Sequence, residues 1–305
     1  MNTVLDGIAP LSHLGVIRVE GDEAAKFLHG QLTQDFLLMG LGEARLAAFC
    51  SAKGRVMASF IGLLRGDGSI LLVCSRDILP ATLKRLSMFV LRAKARLADA
   101  SDAFELRGLA GSAFQRLVER PGAPWTQHDI GPASVVTLYP ADGVERALWV
   151  APARTSAPDG PPLAPDLWQY GEVRSGVATI SGSVVESFVP QMLNYESIGG
   201  VNFKKGCYPG QEVVARSQFR GTLKRRAFLA HSDAPMAAGD EIFQADDTSQ
   251  PCATVVQSVR APSGGFEAIV SGQVAVLQSH PLRLGAADGP VVNLQPMPYT
   301  LLENV

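Results

Sequence analysis

The chain has 305 residues, is 47% hydrophobic and 18% charged, and carries a net charge of −2 with a pI near 6.2. That is enough apolar material for more than one core, which excludes wholesale disorder. The charge balance excludes a global pull toward nucleic acid or anionic membrane.

The amino terminus, "MNTVLDGIAPLSHLG", lacks a basic stretch followed by an apolar core, so it does not read as a signal peptide. The first unit, "GVIRVEG", sets Val16, Ile17 and Val19 among charged residues and reads as a strand. Gly21 and Asp22 then open "DEAAKFLHGQL", a helix for which Asp22 is the expected cap and Ala25, Leu28 and Leu32 the expected core face. "ARLAAFCSAKGRVMASFIGLLRGDGSILLVCS" follows as strands joined by turns at Lys53-Gly54 and Gly66-Asp67-Gly68. Its apolar runs "ASFIGLL" and "ILLVC" are strand-length and too short to span a bilayer, so no membrane partner is expected. "LPATLKRLSMFVL" places Leu79, Leu83, Leu86 and Val90 at helical spacing.

"FELRGLAGSAFQRLV", residues 104–118, repeats the order strand, glycine turn, short helix and points to a duplicated α+β module. The stretch "APARTSAPDGPPLAPDL" carries prolines at 152, 158, 161, 162 and 165, which predicts a break without regular structure. From about Lys224 the texture changes. "RRAFLAHS", "GDEIFQA", "CATVVQSVRA", "GFEAIVSGQVAV" and "PYTLL" predict a small all-β barrel or sandwich.

The four cysteines, at 50, 74, 207 and 252, have no paired spacing, which argues against a disulfide framework, a zinc ribbon or any other metal site. The reading is a cytoplasmic protein with free thiols. Cys74, at the end of "ILLVC", reads as a small buried hydrophobe, and nothing around Cys50 or Cys252 argues otherwise. Cys207 differs. It stands in "NFKKGCYPGQEVVAR", where Pro209 is expected to start a helix with Gln211 and Glu212 in its first turn. A helix amino terminus and the nearby Lys204 and Lys205 both favour a thiolate, so the thiol is a candidate to react or to bind as well as to fill space. Glu212, Arg216 and Arg220 repeat every four residues as one polar stripe, while Val213 and Val214 turn toward a core. Between Lys204 and Arg226 there are seven basic residues and one acid. Such a surface suits a carboxylate-rich ligand, a phosphate or an RNA backbone, or is a solvated face.

Residues 188–226, "FVPQMLNYESIGGVNFKKGCYPGQEVVARSQFRGTLKRR", resemble the signature of the YgfZ family of folate-binding proteins, relatives of the glycine-cleavage T-protein. The core of that motif stands complete as Lys205, Gly206, Cys207, Tyr208, Pro209, Gly210, Gln211 and Glu212. "EGDEAAKFLHGQLTQDF" and "FCSAKGRVMASF" are similar to the same family, so the likeness covers most of the chain. The resemblance implies an α+β fold: two interleaved α+β subdomains (about 1–103 and 104–222) forming a folate-binding region over 1–222, and a C-terminal β-barrel over 223–305, in a ring. It implies tetrahydrofolate or a derivative as cofactor and a functional Cys207 at the pocket. Lys205, Gly206, Tyr208, Gly210, Gln211, Glu212, Arg216, Arg220 and Asn194 are its implied binding residues. The implied partners are iron–sulfur client enzymes, including tRNA-modifying ones, with a weak RNA contact through 204–226.

Aminomethyltransferases of this superfamily carry an aspartate in the segment matching Gly54–Ser59, and this chain has no acid there. Where they hold a glutamate for the pterin ring, "EVRSGVATI" aligns Arg174, with Glu172 close by. Enzymatic activity therefore stays open. The alternative to an accessory protein is a folate-dependent one-carbon (aminomethyl-type) transferase, with Asp35 and Glu172 as its candidate acids. A cysteine hydrolase using one of the five histidines, and a cluster scaffold using all four cysteines, are weaker readings.

Overall fold

A computed structural model describes residues 4–219, 223–245 and 250–302. In chain order its elements are β1 (Gly7–Pro10), β2 (Leu14–Glu20), α1 (Ala24–His29), β3 (Ala44–Cys50), β4 (Val56–Leu64), β5 (Ile70–Ser75), α2 (Leu79–Ser87) and β6 (Arg96–Asp99). Then come β7 (Phe104–Ala110), α3 (Ser112–Leu117), β8 (Gln127–Ile130), β9 (Ala133–Thr137), β10 (Arg146–Pro152), α4 (Pro165–Arg174) and α5 (Gln211–Phe219). The last are β11 (Arg225–Ser232), β12 (Glu241–Gln244), β13 (Ala253–Arg260), β14 (Phe266–Gln273), α6 (Val274–Leu277), β15 (Leu282–Leu284) and β16 (Val291–Gln295).

The strands form two five-stranded sheets, ordered β3-β4-β5-β2-β6 and β8-β9-β10-β7-β1, and a closed barrel, β11-β14-β13-β12-β15-β16. The fold is α+β with few and short helices. The two sheets have one design. In each, a strand leads through a short helix (β2 to α1, β7 to α3) into a three-strand meander whose last strand pairs back beside the first. The fifth place is filled by β6 in one sheet and by β1 in the other. The chain's first strand thus completes the later sheet, and the two repeats interleave.

Packing explains the sequence pattern. Along β5, Leu71 and Val73 enter a core shared with Leu106, Val136, Leu148 and Val150 of the second sheet. Ile70, Leu72 and Cys74 point the other way, into a core with Phe27 and Leu28 of the α1 region and Leu229 of the barrel. Both faces are covered, so the strand reads as an unbroken apolar run rather than an alternation.

Several local expectations need correcting. Asp22 does not cap α1. Glu23 holds the cap position, and its carboxylate turns to the Lys94 N–H (2.9 Å) and the Lys26 ammonium (3.0 Å). The buried face of α1 is Ala24, Phe27 and Leu28 rather than Ala25. α2 stops at Ser87, short of Val90. The proline-rich stretch is partly regular: Pro152 ends β10, and Pro165 opens α4 at its first position, where a missing N–H costs nothing. "PYTLL" is not a strand. Its Tyr299 packs edge-on to Tyr139 at 5.5 Å and donates to the Gly176 carbonyl at 2.9 Å.

Candidate functional site

Among the described residues two places are candidates: a cavity between the sheets and an exposed turn around Cys207.

The cavity, about 60 Å³, is walled by Phe60 and Ile61 of β4, Leu148 of β10, Trp168 of α4, Trp125 and Tyr139. Its polar groups are few: Ser59, Arg146, Glu172, Ser175 and Thr179. A wider and more polar hollow of about 200 Å³, which shares Glu172 and Thr179 with it, is lined by His13, Ser75, Gln169, Ser181, Gln257 and Ser258. Gln257 and Ser258 belong to β13, so sheets, α4 and barrel all contribute.

Glu172 stands where the two hollows meet. Its Oε1 accepts from the Trp168 indole N–H at 2.8 Å and lies 3.0 Å from His13 Nε2. Burial works against a charged His13, but the hydrogen bond and charge of Glu172 outweigh it, so the imidazole is raised above its ordinary 6.5. Trp168 itself is seated by Gly108 of β7, where an added Cβ would meet the indole at 2.4 Å. The guanidinium of Arg146 lies 4.3 Å from the centre of the same ring. Burial pushes Arg146 down to about 10, against the pull of Glu172. The cavity therefore offers flat aromatic walls, one carboxylate acceptor and one buried cation.

Helix phase separates Glu172 from Arg174. Two residues along α4 is a turn of about 200°, and Arg174 accordingly points at the barrel, not the cavity. Its Nε and Nη2 hold the Asp142 carboxylate (2.9 and 2.7 Å), and its Nη1 reaches Glu267 (3.2 Å) and Gln295. Ser59, in the segment without an acid, accepts from the Ile180 N–H at 2.9 Å. Asp35 lines neither hollow. It is buried under α1, where it meets His29 Nδ1 (3.0 Å) and accepts from the N–H groups of Leu37 and Leu38. Burial opposes its charge, yet those hydrogen bonds hold the carboxyl below its ordinary range.

The cysteine turn is built on the edge of the first sheet. Gly210 (φ +77°) packs its backbone onto Ser51 and Gly54, and α5 begins after it, at Gln211 rather than at Pro209. Pro209 lies two residues earlier, in the bend that the Gln211 N–H closes onto the Tyr208 carbonyl at 3.2 Å. Lys205 is buried, and its ammonium donates to the carbonyls of His29 (2.5 Å), Leu32 (3.0 Å) and Gly206 (3.3 Å), 4.6 Å from the Tyr208 ring. Burial pushes it down to about 8, against the charges of Asp35 and Cys207. Tyr208 is buried as well, and Cys207 and Gly206 are exposed. Glu212 and Arg216 pair on the surface at 2.6 Å, and Arg220 lies outside the described residues.

The motif residues Lys205–Glu212 line neither hollow. Nor does Asn194. In left-handed conformation (φ +58°) it brackets the barrel's first strand, donating to the Ala227 carbonyl (3.0 Å) and accepting from the Ala227 N–H (3.1 Å). The basic stretch is also less of a surface than its composition indicates. Lys205 is turned inward, and Arg226 is buried against Glu196 at 2.7 Å, leaving Lys204, Arg216, Lys224 and Arg225 at or near the surface. Sequence reasoning missed Arg146, Trp168 and His13, which become neighbours only through β-pairing and the seating of α4. Cys50, Cys74 and Cys252 are buried free thiols. Among the described residues no helix is long and apolar enough to cross a membrane.

This architecture is that of the glycine-cleavage aminomethyltransferases. The crystal structure of aminomethyltransferase T from Bartonella henselae matches 98% of the chain and 87% of its own length, with a TM-score of 0.68 at 15% identity. No family model matches the sequence. Curated relatives do: the tRNA-modifying protein YgfZ of Colwellia psychrerythraea is 29% identical over 96% of this chain and 93% of its own, and that of Photorhabdus laumondii is 28% identical over 96% and 92%. The chain is thus similar to the YgfZ proteins along nearly its whole length, and its fold is T-protein-like.

Proposed function

We propose that the chain binds tetrahydrofolate or a derivative in the cavity between its sheets and supports the assembly or repair of iron–sulfur enzymes, including those that modify tRNA. The observation that carries the folate reading is a carboxylate among the aromatic and aliphatic walls of the cavity. Glu172 is a carboxylate acceptor suited to the N–H edge of a pterin, and the rings of Trp125, Tyr139 and Phe60 suit a flat heterocycle. The polar hollow at His13, Ser181 and Gln257 suits the more hydrophilic remainder of such a ligand. The tRNA-related role rests on the names of the relatives.

In this reading the chain divides into a folate-binding region over 1–222 and a barrel over 223–305, and the exposed Cys207 is the working thiol. It acts on the outer surface, where a client protein reaches it, with Lys205, Tyr208 and Gly210 holding the turn. Lys204, Arg216, Lys224 and Arg225 supply at most a weak RNA contact.

Calorimetric titration with tetrahydrofolate and 5-formyltetrahydrofolate at two salt concentrations tests the proposal. Saturable binding that changes little with salt is the expected result. Absence of binding at either salt removes the folate reading, and RNA binding with a steep salt dependence would replace it.

One observation favours one-carbon transfer as a second reading. His13 and Glu172 form a titratable pair facing the cavity, which is the equipment that proton transfer at a folate nitrogen requires. Turnover of a methylamine-type donor with tetrahydrofolate would establish it.

A further inference from the structure

The cavity contains a charge that its own walls leave under-satisfied. Arg146 is 2% exposed. Among the described residues its side chain makes a single hydrogen bond, a long one of 3.5 Å from Nη1 to the Tyr139 carbonyl, and its Nε is buried without a partner. Glu172 supplies opposing charge through space, but its Oε1 is already committed to Trp168 and His13. A guanidinium has five N–H donors. Among the described residues only Nη1 of Arg146 is paired, in a cavity whose other polar groups are Ser59, Glu172, Ser175 and Thr179. A methionine would fill the same space beside Trp168 without a desolvated charge, so stability does not account for an arginine here.

We propose that Arg146 is the donor that recognises the carbonyl acceptor of the cavity's ligand, and that it selects the 4-oxo form of a pterin over a 4-amino form. This rests on the folate reading above. The lactam ring of a pterin presents N–H donors next to a carbonyl oxygen, and a carboxylate with a guanidinium complements that pairing. Replacing the carbonyl by an amino group turns the acceptor into a donor and leaves the buried guanidinium facing N–H groups. A site built around a hydrogen bond rejects the analogue that lacks it, because the buried partner is then left unpaired.

The test is titration of the full chain with tetrahydrofolate and with 4-amino-4-deoxytetrahydrofolate, for the unaltered protein, Arg146→Met and Arg146→Lys, with a thermal melt of each. The unaltered protein is expected to prefer the 4-oxo ligand by at least about tenfold. In R146M that ratio should fall to within about twofold while the melting midpoint holds or rises, because a buried charge has gone. R146K keeps a cation but loses the planar fork, and its ratio should fall part of the way. An unchanged affinity and ratio in R146M overturns the assignment. If R146M does not fold, an unchanged ratio in folded R146K does the same. Binding of neither ligand by the unaltered protein overturns the folate reading itself, and Arg146's role with it.

Discussion

Gly54 and Gly210 meet backbone to backbone: a Cβ on Gly210 would stand 2.6 Å from the Cα of Gly54 and 2.4 Å from the Ser51 carbonyl oxygen. Both residues also have positive φ, +71° and +77°. The turn after strand β3 and the cysteine turn are therefore locked together by two positions that only glycine fills without strain. Gly210→Ala must displace backbone as well as adopt a disfavoured conformation. The expected cost is about 2–4 kcal/mol, read from urea melts, with the loss centred on α5. A variant within half a kcal/mol of the parent would mean that the two turns separate freely.

Exposure sorts the four cysteines. Burial pushes Cys50 and Cys74 up to about 12 and raises Cys252, whereas Cys207 is exposed. Brief alkylation of the native protein should therefore label Cys207 alone by mass spectrometry, and denaturation should add the other three. Cys207→Ser should stay within about 0.5 kcal/mol of the parent in stability, as expected for an exposed site, and, if the proposed role holds, should lose the support of iron–sulfur clients. Equal activity of that variant would leave Cys207 as surface and move the working group elsewhere.

The contact between His13 and Glu172 makes a signed prediction. The folded-state imidazole is raised above 6.5, with burial opposing and Glu172 prevailing. Its contribution is then fully present below the unfolded value near 6.5 and is lost as pH rises through the raised folded value. The stability difference between the parent and His13→Gln should shrink across that window. Glu172→Gln should abolish the effect, and a difference that grows with pH would contradict the assignment.

Much of this was legible in the sequence for physical reasons that operate locally. "GVIRVEG" and "FELRGLAGSAFQRLV" were readable because strand and helix periods differ, and the folded chain makes them matching parts of two sheets of one design. The barrel was readable from short apolar runs between turn residues. What failed was governed by tertiary partners. Asp22 looked like a cap, but Lys94 from seventy-odd residues away drew Glu23 into that position. Pro165 looked like part of a break because proline excludes only the helix interior, and its neighbours allowed a start. Lys205 looked like surface charge, and three carbonyls took it inside. Arg146 has no motif at all: it matters because β10 pairs with β7, whose Gly108 leaves room for Trp168.

Arg226 and Glu196 test how the barrel is fastened to the rest. Arg226 is the second residue of the barrel's first strand, and its Nη1 meets Glu196 Oε1 at 2.7 Å with 8% and 0% of the two side chains exposed. Its Nη2 donates to the Leu302 carbonyl at 2.8 Å, and Ser197 ties the same carboxylate to the Leu302 N–H. One ion pair thus joins the segment after the cavity, the barrel and the chain's last described turn. A buried pair contributes little net stability against an apolar substitute, but breaking one side strands a charge. Arg226→Met alone should cost about 3–5 kcal/mol, and Arg226→Met with Glu196→Gln about 1–3 kcal/mol less than that. Guanidinium melts of both single variants and the double variant give the coupling. If the double variant is no more stable than Arg226→Met, the stranded carboxylate is not what the single change costs, and the contact acts through packing.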